Sequence, residues 1–183
     1  MGTRHLVCVK FNQEYKVSQF GSIGGQPQGA GVGCLIHLKS IVQNLEKYKQ
    51  QLSLVELVQY NENDFYNPEV QAAIPAHTIL KLIHETAGTI KFHPSIEYTG
   101  DFSCDWVYVV DLDDNSFKVY KGKNKDPDKE EKDFTQYVPE KNLGYRAVSL
   151  FEKYDLNALP EPEVFKAYHD RLEQEEDERL NAE

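Results

Sequence analysis

Hydrophobic and polar positions alternate first over residues 5–11 (HLVCVKF). Leu6, Cys8 and Lys10 point one way there, and Val7, Val9 and Phe11 the other. Both sides are largely apolar, which predicts a strand buried on both faces. Residues 15–20 (YKVSQF) predict a second strand, joined to the first by Asn12-Gln13-Glu14, a hairpin-length link. The clearest pattern lies further on. Residues 106–112 (WVYVVDL) and 116–121 (SFKVYK) read as strands around an Asp113-Asp114-Asn115 turn. Residues 145–150 (YRAVSL) predict one more strand.

Between the hairpins the period changes. Cys34, Leu38, Ile41, Leu45, Tyr48, Leu52 and Val55 recur at intervals of four and three, a helical stripe over residues 34–60. Ser53-Leu-Val-Glu56 has capping-box spacing and predicts a restart at Ser53. Asn67-Pro68-Glu69 predicts another helix start within residues 67–87. Pro75 interrupts it, and a segment from Ala76 to Ala87 turns Ile79, Leu80, Ile83 and Ala87 inward and ends at Gly88. Pro160 and Pro162 open a last helix with Phe165, Tyr168 and Leu172 on one side. Its acids from Glu173 to Glu178 repel one another and predict fraying.

The chain has 183 residues, of which 40% are hydrophobic and 27% charged. That is the size and composition of one globular domain, long enough to fold without disulfides. The sequence divides into an α+β domain over residues 1–159 and an acidic helix or tail over 160–183. Twenty basic against thirty acidic residues give a net charge of −10. That argues against nucleic acid or an anionic membrane as partner. No apolar run is long enough to span a bilayer, and His5 and Lys10 interrupt any signal-peptide core. Leu6 stands where a myristoylation pattern wants Ser or Thr. Three scattered cysteines, Cys8, Cys34 and Cys104, fit a reducing compartment, the cytoplasm or the nucleus.

The opening Met-Gly-Thr-Arg-His-Leu, followed by a hairpin and a glycine-rich stretch, resembles a family of short fungal, bacterial and phage proteins that begin Met-Gly-Thr-Arg. The likeness extends over residues 1–122 and includes 104–113 (CDWVYVVDLD) and 117–122 (FKVYKG). The family has no assigned activity, so the resemblance implies no mechanism. Where its members carry a Trp-Asp-Gly-Tyr-Pro-like block, this chain has residues 22–27 (SIGGQP), which lowers the expectation of catalysis.

Candidate chemistry gathers near the chain start. Six of the 11 glycines fall within Gly21–Gly33, between a strand and a helix, where backbone N–H groups can hold an anion. Gly29, Gly31 and Gly33 are the candidate ligand-binding glycines. Their spacing is neither a P-loop nor a dinucleotide fingerprint, so a mobile or closely packed loop is the simpler reading. Arg4 is a candidate for bidentate anion binding, or for a salt bridge that secures the terminus.

Cys34 at a helix start, with His37 three residues on, is a candidate nucleophile and base. As part of the apolar stripe with Leu38 and Ile41 it reads more simply as a small buried hydrophobe. Thr3 on a short first strand is laid out as in N-terminal-nucleophile hydrolases, although removal of Met1 would expose Gly2. Six dispersed histidines and no HExxH give no metal site, and no cofactor is expected. Asp111, Asp113, Asp114 and Asn115 echo a calcium loop, but Ser116 and Gly122 stand where it needs glycine and glutamate, so a hairpin turn explains them.

The expectation is a single α+β domain. Two hairpins form a mixed, mostly antiparallel sheet covered by helices, and the layering of N-terminal-nucleophile hydrolases is one form it can take. Function is expected to be non-catalytic binding of a protein or small molecule. The alternative is a hydrolase or transferase with its site at the first strand and glycine-rich loop.

Overall fold

The structure is a computed structural model that describes residues 2–58, 76–100, 104–140 and 144–182. The predicted helix start at Asn67-Pro68-Glu69, and Pro75, lie outside the described residues. The chain forms one α+β domain. Among the described residues the strands are β1 (His5–Phe11), β2 (Glu14–Gly21), β3 (Val55–Leu57), β4 (Ile90–Phe92), β5 (Trp106–Asp111), β6 (Ser116–Lys121) and β7 (Ser149–Asp155). Its helices are α1 (Val32–Ile41), α2 (Leu45–Leu52), α3 (Thr78–Glu85) and α4 (Pro162–Ala182).

Both hairpins enter one five-stranded sheet of order β2-β1-β5-β6-β7. They meet through β1 and β5, which run parallel from His5↔Trp106 to Lys10↔Asp111. All other pairings in this sheet are antiparallel. The centre of the sheet is therefore β1 and β5, the two strands with apolar residues on both sides. Val7, Val9, Tyr108 and Val110 pack with Leu35 and Leu38 of α1, Ile79 and Ile83 of α3, and Phe165 of α4. On the opposite face Leu6, Cys8, Val107 and Val109 are covered by Phe134, Ala147 and Val148. The helices thus cover one face. Irregular segments and short 3-10 turns at Ile96–Gly100 and Lys132–Tyr137 cover the other.

Several boundaries differ from the sequence reading. The first helix begins at Val32 and breaks at Val42–Asn44, where Asn44 leaves helical geometry and its side chain caps α2 by accepting from the Lys47 N–H at 3.3 Å. Ser53 ends α2 instead of opening a helix. Val55–Leu57 pairs in parallel with Ile90–Phe92, so local capping chemistry yields to strand pairing. The next helix is shorter than Ala76–Ala87, and Ala87 is exposed past its end.

The last strand starts at Ser149, not Tyr145. The Arg146 and Val148 N–H groups go to the carbonyls of Asn124 and Thr99, so pairing with β6 begins only afterwards. Helix α4 continues to Ala182. Within it Arg171 lies 3.8 Å from Glu175 and Gln174 donates to Glu178 at 3.0 Å, which offsets the acidic repulsion. Among the described residues no helix is long and apolar enough to cross a membrane.

Candidate functional site

β1 and β5 are parallel neighbours, so they begin at the same end of the sheet, and β6 finishes beside them. There Asp105 ties the two starts together. It accepts from the Arg4 N–H at 2.8 Å, its own N–H donates to the Arg4 carbonyl at 2.9 Å, and its carboxylate pairs with Lys123. Burial pushes the Asp105 carboxyl up, but the Lys123 and Arg4 hydrogen bonds outweigh it and hold the group below the usual carboxylate range.

Two clefts open at this end. One, of about 600 Å³, is framed by Gln26, Gln28, Trp106, Phe151, Leu172 and Glu175. The other, of about 740 Å³, is framed by Thr3, Arg4, Ser22, Asp105, Gly122 and Lys123. Gln26, Trp106, Lys121 and Glu173 belong to both, so the two are chambers of one groove.

The first chamber has an aromatic corner. Phe151 stands edge-on to Trp106 with centroids 5.4 Å apart, and His169 of α4 lies 5.8 Å from Phe151. Phe151 is the extra residue of a β-bulge: Val119 faces Glu152 while Tyr120 faces Leu150. A bulge re-aims a side chain in this way. The Lys121 ammonium sits 6.0 Å from the centre of the Trp106 ring. His169 is buried, and burial lowers its pKa to about 4 against the pull of Glu152 and Asp170, so it is neutral near pH 7. Gln28 donates to Glu173 at 2.8 Å, which joins the glycine-rich loop to α4 across the chamber. The Gln28 amide oxygen is buried and has no hydrogen-bond partner among the described residues.

Of the residues proposed from sequence, Thr3 and Arg4 line the second chamber. Cys34 does not join them. It is fully buried among the α1 core residues, and burial raises its thiol pKa, opposite to the lowering expected from a helix start. His37 sits elsewhere, stacked on His77 with centroids 6.0 Å apart. Its pKa is lowered by burial, then by His77 and Lys81.

Gly29, Gly31 and Gly33 serve close packing. An added Cβ would meet the Gly24 carbonyl oxygen at 2.5 Å, Phe165 and Tyr108 at 3.1 Å, and His77 at 2.6 Å respectively. The loop also uses its own N–H groups, Gly29 to Gln26 and Ala30 to Gly24. It contributes to the groove through Ser22, Gln26, Pro27 and Gln28 rather than through its glycines. Sequence reading missed Lys121, Phe151, His169 and Glu173. Strand ends and a helix face carry no local motif, and they are gathered only by the β5–β6 pairing, the β7 bulge and the packing of α4. Among the described residues no cluster of His, Cys, Asp and Glu could hold a metal ion.

Comparison with protein-family models, with curated proteins and with solved structures yields no match.

Proposed function

We propose that the protein is a non-catalytic binding protein whose small-molecule ligand occupies the groove at the start of β1 and β5. One observation carries this reading: two chambers of differing chemistry, one aromatic and one polar, share Gln26, Trp106, Lys121 and Glu173. The net charge of −10 favours a small ligand over nucleic acid. The three buried cysteines, none of them in a disulfide among the described residues, suit a reducing compartment, cytoplasm or nucleus.

Trp106 is the chain's only tryptophan, so intrinsic fluorescence reports groove occupancy directly. A library of small polar and aromatic compounds should contain members that change its emission saturably. Gln26→Phe, which narrows the shared centre of the groove without adding a second tryptophan, should weaken them. A library that leaves the emission of Trp106 and its acrylamide quenching untouched overturns the reading.

One observation favours the hydrolase alternative: Thr3 lines this same groove. That reading needs a mature chain starting at Thr3, whose free amine would serve as base. Mass spectrometry of the protein purified from its source tests it, and an intact Gly2-Thr3 bond rejects it.

A further inference from the structure

The lining of the groove is balanced in charge. Over the two chambers Arg4, Lys121 and Lys123 stand against Asp105, Glu173 and Glu175, three cations and three carboxylates. Each already has a partner within the chain. Lys123 pairs with Asp105, Gln28 donates to Glu173, Arg171 lies 3.8 Å from Glu175, and Arg4 and Lys121 are likewise engaged. A charged ligand gains little in such a site. It competes for side chains that other groups already hold, and water and salt screen what attraction is left. An uncharged hydroxyl does not compete. It donates to a carboxylate and accepts from a cationic N–H at once, so it joins an existing pair without breaking it. Gln26 and Ser22, both exposed, and Thr3 add an amide and two hydroxyls to this set.

Beside these polar groups stands an apolar platform. Trp106 and Phe151 are only partly buried: they pack against the helix-side core and also line the cleft. The electron-rich face of such a ring attracts the C–H groups of a ligand. A molecule that combines C–H faces with many hydroxyls and carries no charge is a sugar. Chambers of about 600 and 740 Å³ with a shared centre have room for more than one sugar ring. We propose that the groove binds a neutral oligosaccharide, with one sugar ring packed on Trp106 and the next reaching past Gln26 to Arg4, Asp105 and Lys123. This rests on the binding reading above and names its ligand class. The neutral state of His169 near pH 7 keeps the aromatic side of the groove free of an added charge.

The test is a titration of the full chain with cellotriose, maltotriose, mannotriose and triacetylchitotriose, read by Trp106 emission and by calorimetry. Glucose, trigalacturonate, the deacetylated glucosamine trimer and indole are the comparison probes. At least one neutral trisaccharide should bind saturably, about tenfold more tightly than glucose or either charged trimer. Its affinity should change by less than about twofold between low salt and about 0.5 M salt. Trp106→Ala should weaken it about tenfold by calorimetry. Gln26→Ala, at an exposed position, should weaken it about threefold. Circular dichroism of both variants confirms that they fold.

A charged trimer or glucose binding as tightly as the neutral trisaccharides overturns the assignment. So does an affinity that falls steeply with salt, or a folded Gln26→Ala that binds like wild type. Saturation by indole or a library compound with none by any sugar overturns this inference and leaves the binding groove standing. Silence from every compound overturns both.

Discussion

The two ends of the sheet are made from the same two hairpins and have opposite chemistry. At the end where the hairpins turn, the polar groups are satisfied within the chain. Asn12 and Gln13 form a two-residue turn with φ of 55° and 62°, a left-handed geometry typical of tight hairpins. Their N–H groups donate to the Asp113 carboxylate of the neighbouring turn at 2.8 and 2.6 Å. Asp111 accepts from the N–H groups of Asp113 and Asp114 and pairs with Lys118, and Asp114 takes Lys118 and Lys153. At the opposite end β1 and β5 begin, and there lie the groove, the aromatic corner and a buried histidine, His5. The end with the densest acids is structural. The end with a diffuse signature holds the cavity.

Acid separates the two ends most strongly. His5 and His169 both belong to the groove end, and both have pKa values lowered to about 4, His5 by burial and then by His77. As pH falls below their ordinary value of 6.5, the unfolded chain takes up protons that the folded chain refuses. Stability therefore drops from about pH 6.5 down to about pH 4 and then levels off for these groups, by as much as about 3 kcal/mol for each. Asp114 works in a different window. Lys153 and then Lys118 hold its carboxyl well below the usual range, so its contribution is complete above about pH 4 and disappears only in stronger acid. Urea denaturation across this range should show both windows. His169→Phe keeps a ring beside Phe165 and Phe151 and should make the upper window shallower, since His5 still contributes there, while leaving the lower window unchanged. An unchanged slope between pH 6.5 and 4 in that variant would mean that His169 is not held neutral.

Packing at the groove end gives the next effect. At Gly25 an added Cβ would stand 2.7 Å from the Thr3 carbonyl oxygen and 2.8 Å from His5 Cβ, while the Gly25 N–H donates to that same carbonyl at 3.0 Å. Neither neighbour is the free end of a flexible side chain. Gly25→Ala should cost about 3 kcal/mol in chemical denaturation and perturb Trp106 emission. The matching change at the turn end is Asp111→Ala. It removes two backbone caps and a buried partner of Lys118 and should cost about 2 kcal/mol with no change in Trp106 emission. An emission change there would show that the two ends are coupled through β5.

These differences mark how much the sequence could reveal. Strand pattern carried the two hairpins, because alternation and turn chemistry act over neighbouring residues, and the two-sided burial of β1 is written in Leu6 to Val9. The parallel pairing of β1 with β5 has no local trace, and it brings Thr3 and Arg4 beside Asp105 and Trp106. Thr3 and Arg4 were legible as candidates because they stand at a strand entrance. Cys34 and His37 were attractive only as a local spacing, and the helix packing separates them into the core and against His77. Phe151 needed a bulge, and His169 needed α4 to fold back onto β7. Both depend on contacts that one sequence does not state.

The smallest effect tests whether the turn end is held by its caps or by its charges. Lys153 lies 2.8 Å from Asp114, but both side chains are nearly half exposed, at 48% and 44%. Water screens such a pair, and ordering the lysine costs entropy, so Lys153→Met should lower stability by no more than about 0.5 kcal/mol. Lys118 is the better buried partner, 17% exposed, and it continues to serve Asp114 and Asp111 in that variant. Caps formed by N–H groups on Asp111 and Asp113 are unaffected by the loss of a lysine. Denaturation of wild type and Lys153→Met at low salt and at about 1 M salt should therefore give curves that nearly coincide. If Lys153→Met costs as much as Asp111→Ala, and salt abolishes the difference, then long-range charge rather than hydrogen-bonded capping holds the two turns together.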